Sequence, residues 1–265
     1  MTINISSKDN ERVKYTKSLL KSKNRQKESK FIIEGYRILT LAIECNADLD
    51  YVFINETFEN KEEHKNFLKV LEEKNIKIFK TTNKIFYELI DTENTQGILG
   101  VVRFKEKKIE HNIKNEDKFV LILDRIQDPG NMGTIIRTAD AAGVDEIIAL
   151  KGCVDIYNPK VIRSTMGSIF DMNIIHCTQE ECLRELKSKD FNIVSSYLNT
   201  DNYYHETDYG KKVALVIGNE ANGVNDELID ESDILVKIPI YGNAESLNAA
   251  ISSAILMYEI KKYLS

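Results

Sequence analysis

Three short segments of the chain combine glycine with small polar side chains. The first covers residues 128–133 and leads into a predicted helix that carries Arg137. The second, residues 218–223, follows a run of apolar residues, and the third, residues 238–248, precedes the last predicted helix. Glycine lets the backbone approach a ligand closely, and Asn and Ser supply hydrogen-bond donors and acceptors with little bulk. The three segments are therefore candidates for one binding or catalytic site.

Each segment also has a structural explanation when it is taken singly. Asn131 could cap a helix, and Arg137 could form an ion pair with Asp140, three residues later. Glu220 could be an exposed turn residue, and Ser246 could cap the last helix. All three segments lie at predicted strand ends, and open α/β sheets bind ligands outside the carboxyl ends of their strands. Their joint occurrence therefore favours the functional interpretation.

The elements that position these segments follow an alternation of strands and helices. Apolar runs typical of strands buried on both faces of a sheet occupy residues 119–123, 146–150 and 213–217. Helical patterns lie between and after them, at residues 133–142, 179–188 and 245–263. The second half of the chain is therefore predicted to be an α/β fold, a mostly parallel sheet with helices on both faces.

The first half of the chain predicts a second, smaller α/β unit. A basic helix at residues 8–22 precedes an alternation of strands and helices that ends near residue 104. Residues 105–118 are strongly polar and predict a linker, with a long surface loop inside one domain as the alternative. We therefore expect a first domain at residues 1–106, a linker at 107–117 and a second domain at 118–265.

The charge of the chain is unevenly distributed. The net charge is −6, but residues 1–30 contain nine Lys and Arg against three acidic residues. A basic segment on an acidic protein can steer a polyanion such as RNA, and a solvated helix is the alternative.

Several function classes are disfavoured by the sequence. The four cysteines match no zinc pattern, so no metal site is expected. No G-x-G-x-x-G follows the first strand of either half and no G-x-x-x-x-G-K-[ST] occurs, which disfavours a nicotinamide enzyme and a P-loop NTPase. The sequence shows neither a signal peptide nor an apolar run of about 20 residues, and we expect a cytoplasmic protein.

In their order and spacing, the three segments resemble the motifs of the SpoU family within the knotted SPOUT methyltransferase superfamily. The resemblance covers residues 119–263 and rests on four stretches, Asn131–Ala139, Asn158–Ser168, Leu215–Gly223 and Ile238–Asn248. A second similarity covers residues 8–104, mainly at Phe31–Arg37. It is to the small ribosomal-protein-like α/β domain with which some family members bind RNA.

The resemblance implies a fold and an activity. The fold would contain a deep trefoil knot, formed where the C-terminal segment threads through a loop, and the protein would be a homodimer. The activity would be methyl transfer from S-adenosylmethionine to a ribose 2′-hydroxyl of RNA, and the N-terminal domain points to ribosomal RNA, in particular 23S. A catalytically silent RNA-binding or ribosome-assembly protein on the same fold is the alternative. An enzyme that confers antibiotic resistance would be a narrower case of the same activity.

The resemblance also implies roles for individual residues. The backbone around Gly218, Ile238 and Leu247 would hold S-adenosylmethionine. Catalytic roles would fall to Asn131, Arg137, Glu220, Ser246 and Asn248, and RNA contacts to the basic residues Lys14, Lys21, Arg25 and Arg37. The family proposal makes Arg137 the general base. Because a guanidinium is normally always protonated, a clamp on the target phosphate is the alternative role.

Overall fold

The computed structural model describes residues 2–265 and divides into two compact units. The first unit comprises the chain up to Lys105 together with Tyr157–Phe170. The second comprises Glu106–Ile156 and Asp171–Ser265.

The strands and helices alternate along most of the chain. The strands are β1 (Thr2–Ile5), β2 (Lys30–Glu34), β3 (Leu49–Asn55), β4 (Lys77–Thr81), β5 (Ile98–Arg103), β6 (Phe119–Leu123), β7 (Glu146–Leu150), β8 (Ile174–Cys177), β9 (Asn192–Ser196), β10 (Val213–Ile217) and β11 (Ile234–Val236). The helices are α1 (Glu11–Ser18), α2 (Ser22–Glu28), α3 (Tyr36–Glu44), α4 (Glu56–Glu59), α5 (Lys65–Glu73), α6 (Asn83–Phe86), α7 (Ile109–Asn112), α8 (Pro129–Ala142), α9 (Pro159–Thr165), α10 (Gln179–Ser188), α11 (Asp226–Asp230) and α12 (Ala249–Leu264). A short 3₁₀ turn, Glu62–His64, precedes α5.

The first unit is built on a five-stranded mixed sheet in the order β1-β4-β3-β5-β2. β3 and β4 pair in parallel, whereas β5 runs antiparallel to both β2 and β3. Apolar side chains fill both faces of this sheet, and Tyr51, Phe53 and Phe79 pack ring against ring on one of them. On the other face, Tyr157 stacks on Phe31, which ties the segment before α9 to β2.

The second unit is built on a six-stranded sheet in the order β11-β9-β10-β6-β7-β8, in which every neighbouring pair is parallel. Every residue of β6, β7 and β10 is buried, as expected when helices cover both faces. The predicted α/β fold with a mainly parallel sheet is confirmed. The bounds predicted for β6, β7 and β10 agree with the structure.

The structure differs from the sequence prediction at several elements. The predicted basic helix is two helices, α1 and α2, and the edge strand β1 precedes them. The predicted linker contains α7, whose Ile109 and the following Ile113 are buried in the core of the second unit. The segment Tyr157–Phe170 lies in the second predicted domain by sequence but belongs to the first unit, because α9 packs on β2. The boundary between the two domains as independently folding parts stays a prediction.

Within the part of the chain that the structure describes, no helix is long and apolar enough to cross a membrane. Over the same residues, no group of three or more His, Cys, Asp or Glu side chains could hold a metal ion. The four cysteines are free thiols.

Candidate active site

The three polar segments meet at the carboxyl edge of the parallel sheet in the second unit. β6 and β10 are neighbours, with Leu123 opposite Ile217 at their ends, so the segments that follow these two strands lie side by side. The first segment opens α8, the second is the loop after β10, and the third ends at the start of α12. The sheet topology therefore brings together segments that are about 90 to 120 residues apart in sequence.

A hydrogen-bond network connects the three segments. The Glu220 carboxylate accepts from the Asp128 N–H at 3.0 Å and from the Asn131 side-chain amide at 3.1 Å. The Gln127 N–H also donates to Glu220, at 3.2 Å. The Asn248 amide then donates to the Asn131 side-chain oxygen at 3.0 Å. Three of the five predicted catalytic residues, Asn131, Glu220 and Asn248, are therefore in direct contact.

The helix starts hold this network in place. Asp128 caps α8, since its carboxylate accepts from the Asn131 N–H at 2.8 Å, and Pro129 occupies the first turn. Asn248 caps α12 by accepting from the N–H groups of Ala250 and Ile251. Because its oxygen is engaged at the helix start, the Asn248 amide nitrogen is left to face Asn131. The caps are thus Asp128 and Asn248, and neither Asn131 nor Ser246 takes that role.

The electrostatics of Glu220 favour an ionised carboxylate. Partial burial raises its pKa, but the hydrogen bonds from the Asn131 amide and from the N–H groups of Asp128 and Gln127 outweigh burial. The pKa of Glu220 therefore lies below its usual value. A carboxylate with a lowered pKa and donors on both oxygens is a weak proton acceptor.

The loop after β10 closes tightly on itself and requires glycine at its first position. A Cβ atom on Gly218 would lie 2.1 Å from both the Gly223 carbonyl carbon and the Val224 nitrogen, which are backbone atoms. Asn219 and Gly223 exchange backbone hydrogen bonds of 2.9 Å in each direction. The Asn219 side chain also donates to the Arg125 carbonyl at 2.8 Å. The loop is therefore a fixed wall.

This wall borders a cleft of about 370 Å³. The cleft brings together all three predicted cofactor-binding residues, Gly218, Ile238 and Leu247, along with Ser246 and Glu220. Apolar side chains such as Val236 and Leu256 line it beside the polar loop residues. A cleft of this size, partly apolar and partly lined by backbone and amide groups, suits a molecule with a flat heteroaromatic end and a polar end. S-Adenosylmethionine has both, so the residues present fit it.

Arg137 lies apart from the network. It is on α8 six residues after Asn131, which corresponds to about 9 Å along a helix axis. Its side chain is exposed and forms no ion pair with Asp140 or with any other residue among those that the structure describes. The guanidinium is therefore available for an anion from outside the chain.

The four predicted RNA-binding residues, which all lie in the first unit, differ in accessibility. Lys14, Lys21 and Arg37 are exposed. Arg25 is only 2% exposed, and its guanidinium donates to the carbonyl oxygens of Leu19 and Leu20, at 2.9 and 2.8 Å. These bonds satisfy the carbonyls that follow α1, so Arg25 stabilises the turn between α1 and α2 and cannot reach RNA. Its prediction as an RNA contact is wrong.

Sequence reasoning missed two residues that brace the site. Asp124 directly follows β6, is buried, and accepts from the Arg125 guanidinium through both carboxylate oxygens at 2.8 Å and from the Asn225 N–H at 2.9 Å. Arg125 has a left-handed backbone, with φ of 55°, which is uncommon for this residue type. Its side chain also donates to the Gly223 carbonyl. A charged residue directly after a buried strand was the available signal.

Residues 196–199, at the end of β9, also line the cleft and were not predicted. They lie at the carboxyl edge of the sheet, as the three segments do. Because open α/β sheets bind ligands at this edge, the same rule could have identified them. They lack the glycine content by which the other segments were recognised.

A buried carboxyl group lies at the opposite edge of the same sheet. Glu146 opens β7, is 4% exposed, and has one oxygen, Oε2, without a hydrogen-bond partner among residues 2–265. Burial, and secondly the nearby Asp117 carboxylate, raise the pKa of Glu146 to about 7, against the opposing effects of Asn173 and Lys107. This group is remote from the cleft and titrates near neutrality.

Comparison with known proteins gives matches over the whole chain. Residues 118–258 match the SpoU rRNA Methylase family, and residues 10–100 match the MRM3-like substrate binding domain. The 23S rRNA (guanosine(2553)-2'-O)-methyltransferase RlmP of Bacillus subtilis (strain 168) is 32% identical over 257 residues, which is 97% of this chain and 98% of that protein.

Solved structures resemble the fold over its full length. An rRNA methyltransferase from Sinorhizobium meliloti with bound AdoMet is 28% identical and has a TM-score of 0.90, covering 100% of this chain and 99% of that one. The SpoU methyltransferase AviRb from Streptomyces viridochromogenes, in complex with the cofactor AdoMet, is 25% identical with a TM-score of 0.86, covering 96% and 97%.

Proposed function

Because the chain belongs to the SpoU rRNA methylase family, we propose that it transfers the methyl group of S-adenosylmethionine to a ribose 2′-hydroxyl of 23S ribosomal RNA. The observation that carries this proposal is the network of Glu220, Asn131 and Asn248, which borders the cleft through Glu220. The relatives named above support both the cofactor and the class of RNA.

The cofactor site is the cleft beside the loop after β10. Gly218 lets the loop close, so that backbone groups of residues 218–223 face the cleft, and Ile238 and Leu247 supply apolar contact. Ser246 and Asn222 add polar groups of small size. S-Adenosylmethionine, when bound, supplies an electrophilic methyl group, and the residues of the chain hold it at a fixed place.

Glu220 acts as a positioning residue in this proposal. Its oxygens are engaged by donors from the start of α8, which orients the Asn131 amide between Glu220 and Asn248. A fixed amide beside the acceptor ribose can hydrogen-bond the sugar and hold the 2′-oxygen in line for transfer. The lowered pKa of Glu220 argues against its taking the proton of the 2′-hydroxyl.

Arg137 is assigned to the target phosphate. It is exposed, always protonated and able to bind a phosphate through two parallel hydrogen bonds. Arg137→Ala should therefore lower the turnover number by about a hundredfold or more, while calorimetry shows unchanged S-adenosylmethionine affinity. Near-normal turnover in this variant would remove Arg137 from the site.

The exposed lysines of the first unit are assigned to the RNA backbone. Lys14 and Lys21 lie in the basic N-terminal segment, within residues 10–100, which match a substrate-binding domain. Lys14→Gln combined with Lys21→Gln should reduce the slope of log affinity against log salt by about 2 for double-helical RNA. An unchanged slope would show that these lysines do not contact phosphate.

We also propose the homodimer and the trefoil knot that the family resemblance implies. The exposed apolar side chains Ile251 and Tyr258 are seven residues apart on one face of α12, and Tyr241, nearby in sequence, is 93% exposed. Such a face favours burial against a second copy. A monomer by light scattering at micromolar concentration would contradict the dimer. An experimental backbone trace in which residues 239–265 do not pass through a loop would contradict the knot. With ribosomal RNA as the proposed substrate, we also propose that the protein acts in the cytoplasm.

A further inference from the structure

The first unit contains a groove of about 310 Å³ that is separate from the cleft of the second unit. Three stretches of chain line it: the end of β2 and the start of α3, the loop at residues 92–96, and the end of α9. Its polar and charged side chains include Glu34, Arg37, Thr92, Gln96 and Arg163. The groove therefore combines residues that are more than 120 positions apart in sequence.

Hydrogen bonds fix the walls of this groove. The Thr92 hydroxyl donates to the Glu34 carboxylate and lies 2.7 Å from Oε1 and 2.9 Å from Oε2 of Glu34. The Tyr36 N–H donates to the Gln96 side-chain oxygen at 2.6 Å, next to Gly35, which has a left-handed φ of 112°. The side chains at the loop and at the strand end therefore have set orientations before any ligand binds.

Tight packing positions the third wall. A Cβ atom on Gly167, whose φ is 108°, would lie 2.4 Å from a methyl carbon of Leu41 on α3. Only glycine has both the backbone freedom and the space that this position requires. This contact holds the end of α9 against α3, which places Arg163 and Met166 at the groove.

The charges in the groove suit a nucleotide better than a simple anion. Arg37 is exposed, and Arg163 is partly exposed with one ion pair, to Asp91 at 3.2 Å, which leaves further guanidinium N–H groups free to donate. Glu34 repels phosphate but accepts hydrogen bonds from the N–H groups of a base. A ligand with an anionic part for the two arginines and an N–H-bearing part for Glu34 would complement both kinds of charge in the groove.

An apolar surface completes the groove. Met166 is 44% exposed, with a left-handed φ of 53°, and Ile38 and Leu41 contribute to the floor. Proteins recognise unpaired bases by stacking them on aromatic or guanidinium planes, or between aromatic and apolar side chains, and by hydrogen bonds to their edges. A paired base could not present both its face and its edge to this groove.

We propose that the groove binds an unpaired nucleotide of the RNA substrate, with the base toward Glu34 and Met166 and its phosphates toward Arg37 and Arg163. The inference rests on the proposed function, because it assumes an RNA substrate. It assigns to α9, which lies in the part of the chain that matches the SpoU family, a role in holding RNA on the first unit.

The test uses the full chain in methyl-transfer kinetics with unmodified 23S ribosomal RNA. Arg37→Gln and Arg163→Gln should each raise the KM for RNA by about tenfold, as expected for loss of a charged hydrogen bond. The turnover number at saturating RNA and the affinity for S-adenosylmethionine should stay at wild-type values. Both side chains are accessible, and circular dichroism and a thermal melt verify that the variants are folded.

Lys160→Gln is the matched control. Lys160 is exposed on the same helix as Arg163 but does not line the groove, and its replacement removes the same charge. A wild-type KM for Lys160→Gln beside a raised KM for Arg163→Gln supports the groove. Equal increases for both would overturn it in favour of a general charge effect.

A second readout follows the ligand itself. Glu34→Gln should change the relative affinities for short single-stranded RNAs of A, C, G or U, measured by fluorescence anisotropy, because the carboxylate contacts the base edge. Normal kinetics and unchanged base preference in all groove variants would overturn the proposal. If the wild-type protein itself methylates no RNA, the proposed function fails instead, so the two failures are distinguishable.

Discussion

Replacing Gly218 with alanine should displace the wall of the cleft. The added Cβ would lie 2.1 Å from backbone atoms of residues 223 and 224, whereas ordinary contact begins at 3.4 Å. The loop and the end of β10 must therefore separate by about 1.3 Å, and close-packed interiors do not absorb such a shift freely. The backbone bonds between Asn219 and Gly223 oppose the movement.

The size of the effect follows from the cost of overpacking. Inserting a methyl group into a filled site costs roughly 1–3 kcal/mol. S-Adenosylmethionine is expected to bind the loop in its present geometry, so the Gly218→Ala variant must regain this geometry when it binds the cofactor. The free energy needed for this weakens binding by about fivefold to a hundredfold, at about 1.4 kcal/mol per factor of ten. The free energy of unfolding should fall by a similar amount.

The assay is isothermal titration calorimetry of S-adenosylmethionine with wild-type protein, Gly218→Ala and Gly242→Ala. Gly242 is the control because a Cβ there would meet nothing within 4 Å and its φ is not left-handed. The control should keep wild-type affinity. The role of this wall would be refuted if Gly218→Ala bound S-adenosylmethionine within about twofold of the wild-type affinity. A difference that small lies below the ~0.5 kcal/mol expected of a neutral surface change.

Three further predictions concern the network and the two units. Asn131→Ala and Asn248→Ala should each lower turnover, and a double-mutant cycle should show a coupling of about 0.5 kcal/mol or more; additive effects would mean that their hydrogen bond has no catalytic weight. The pKa of Glu146 is higher in the folded than in the unfolded protein, so protonation of this carboxyl group favours the fold. Its contribution to the free energy of unfolding is therefore fully present below a pH of about 4.5 and is lost as the pH rises toward about 7. The loss amounts to at most about 3 kcal/mol, and urea unfolding of Glu146→Gln at several pH values should not show it. If the free energy of unfolding depended on pH in the same way for the variant and the wild type, the assignment would be contradicted. Arg25→Met should lower the free energy of unfolding by about 1–3 kcal/mol through the carbonyls left unpaired, with unchanged RNA affinity of the folded protein; a specific loss of RNA affinity would return Arg25 to the RNA surface.

The sequence predicted the catalytic half of the fold well because its strands are buried on both faces. In β6, β7 and β10 nearly every residue is apolar, and such runs have few alternative explanations. The strand-end rule then placed the three polar segments at one edge, and the structure joins Asn131, Glu220 and Asn248 there.

The first unit was harder to predict because its short elements depend on distant contacts. β1 has four residues and pairs only at the sheet edge, and the turn between α1 and α2 is held by a buried Arg25 that looks like a surface residue by type. The placement of α9 depends on Tyr157 stacking on Phe31 and on Gly167 meeting Leu41. Local pattern carries no information about such tertiary contacts.

The most direct test of the central claim is the chemical identity of the product. Purified protein would be incubated with S-adenosylmethionine carrying a labelled methyl group and unmodified 23S ribosomal RNA, and the RNA would then be hydrolysed in alkali. A methyl group on the ribose 2′-oxygen blocks cleavage of the adjacent phosphodiester, so label in an alkali-resistant dinucleotide, absent with Arg137→Ala, is the predicted result. Label recovered only in single nucleotides would place the methyl group on a base, and no label despite tight cofactor binding would favour a catalytically silent RNA-binding protein; either result would contradict ribose methylation.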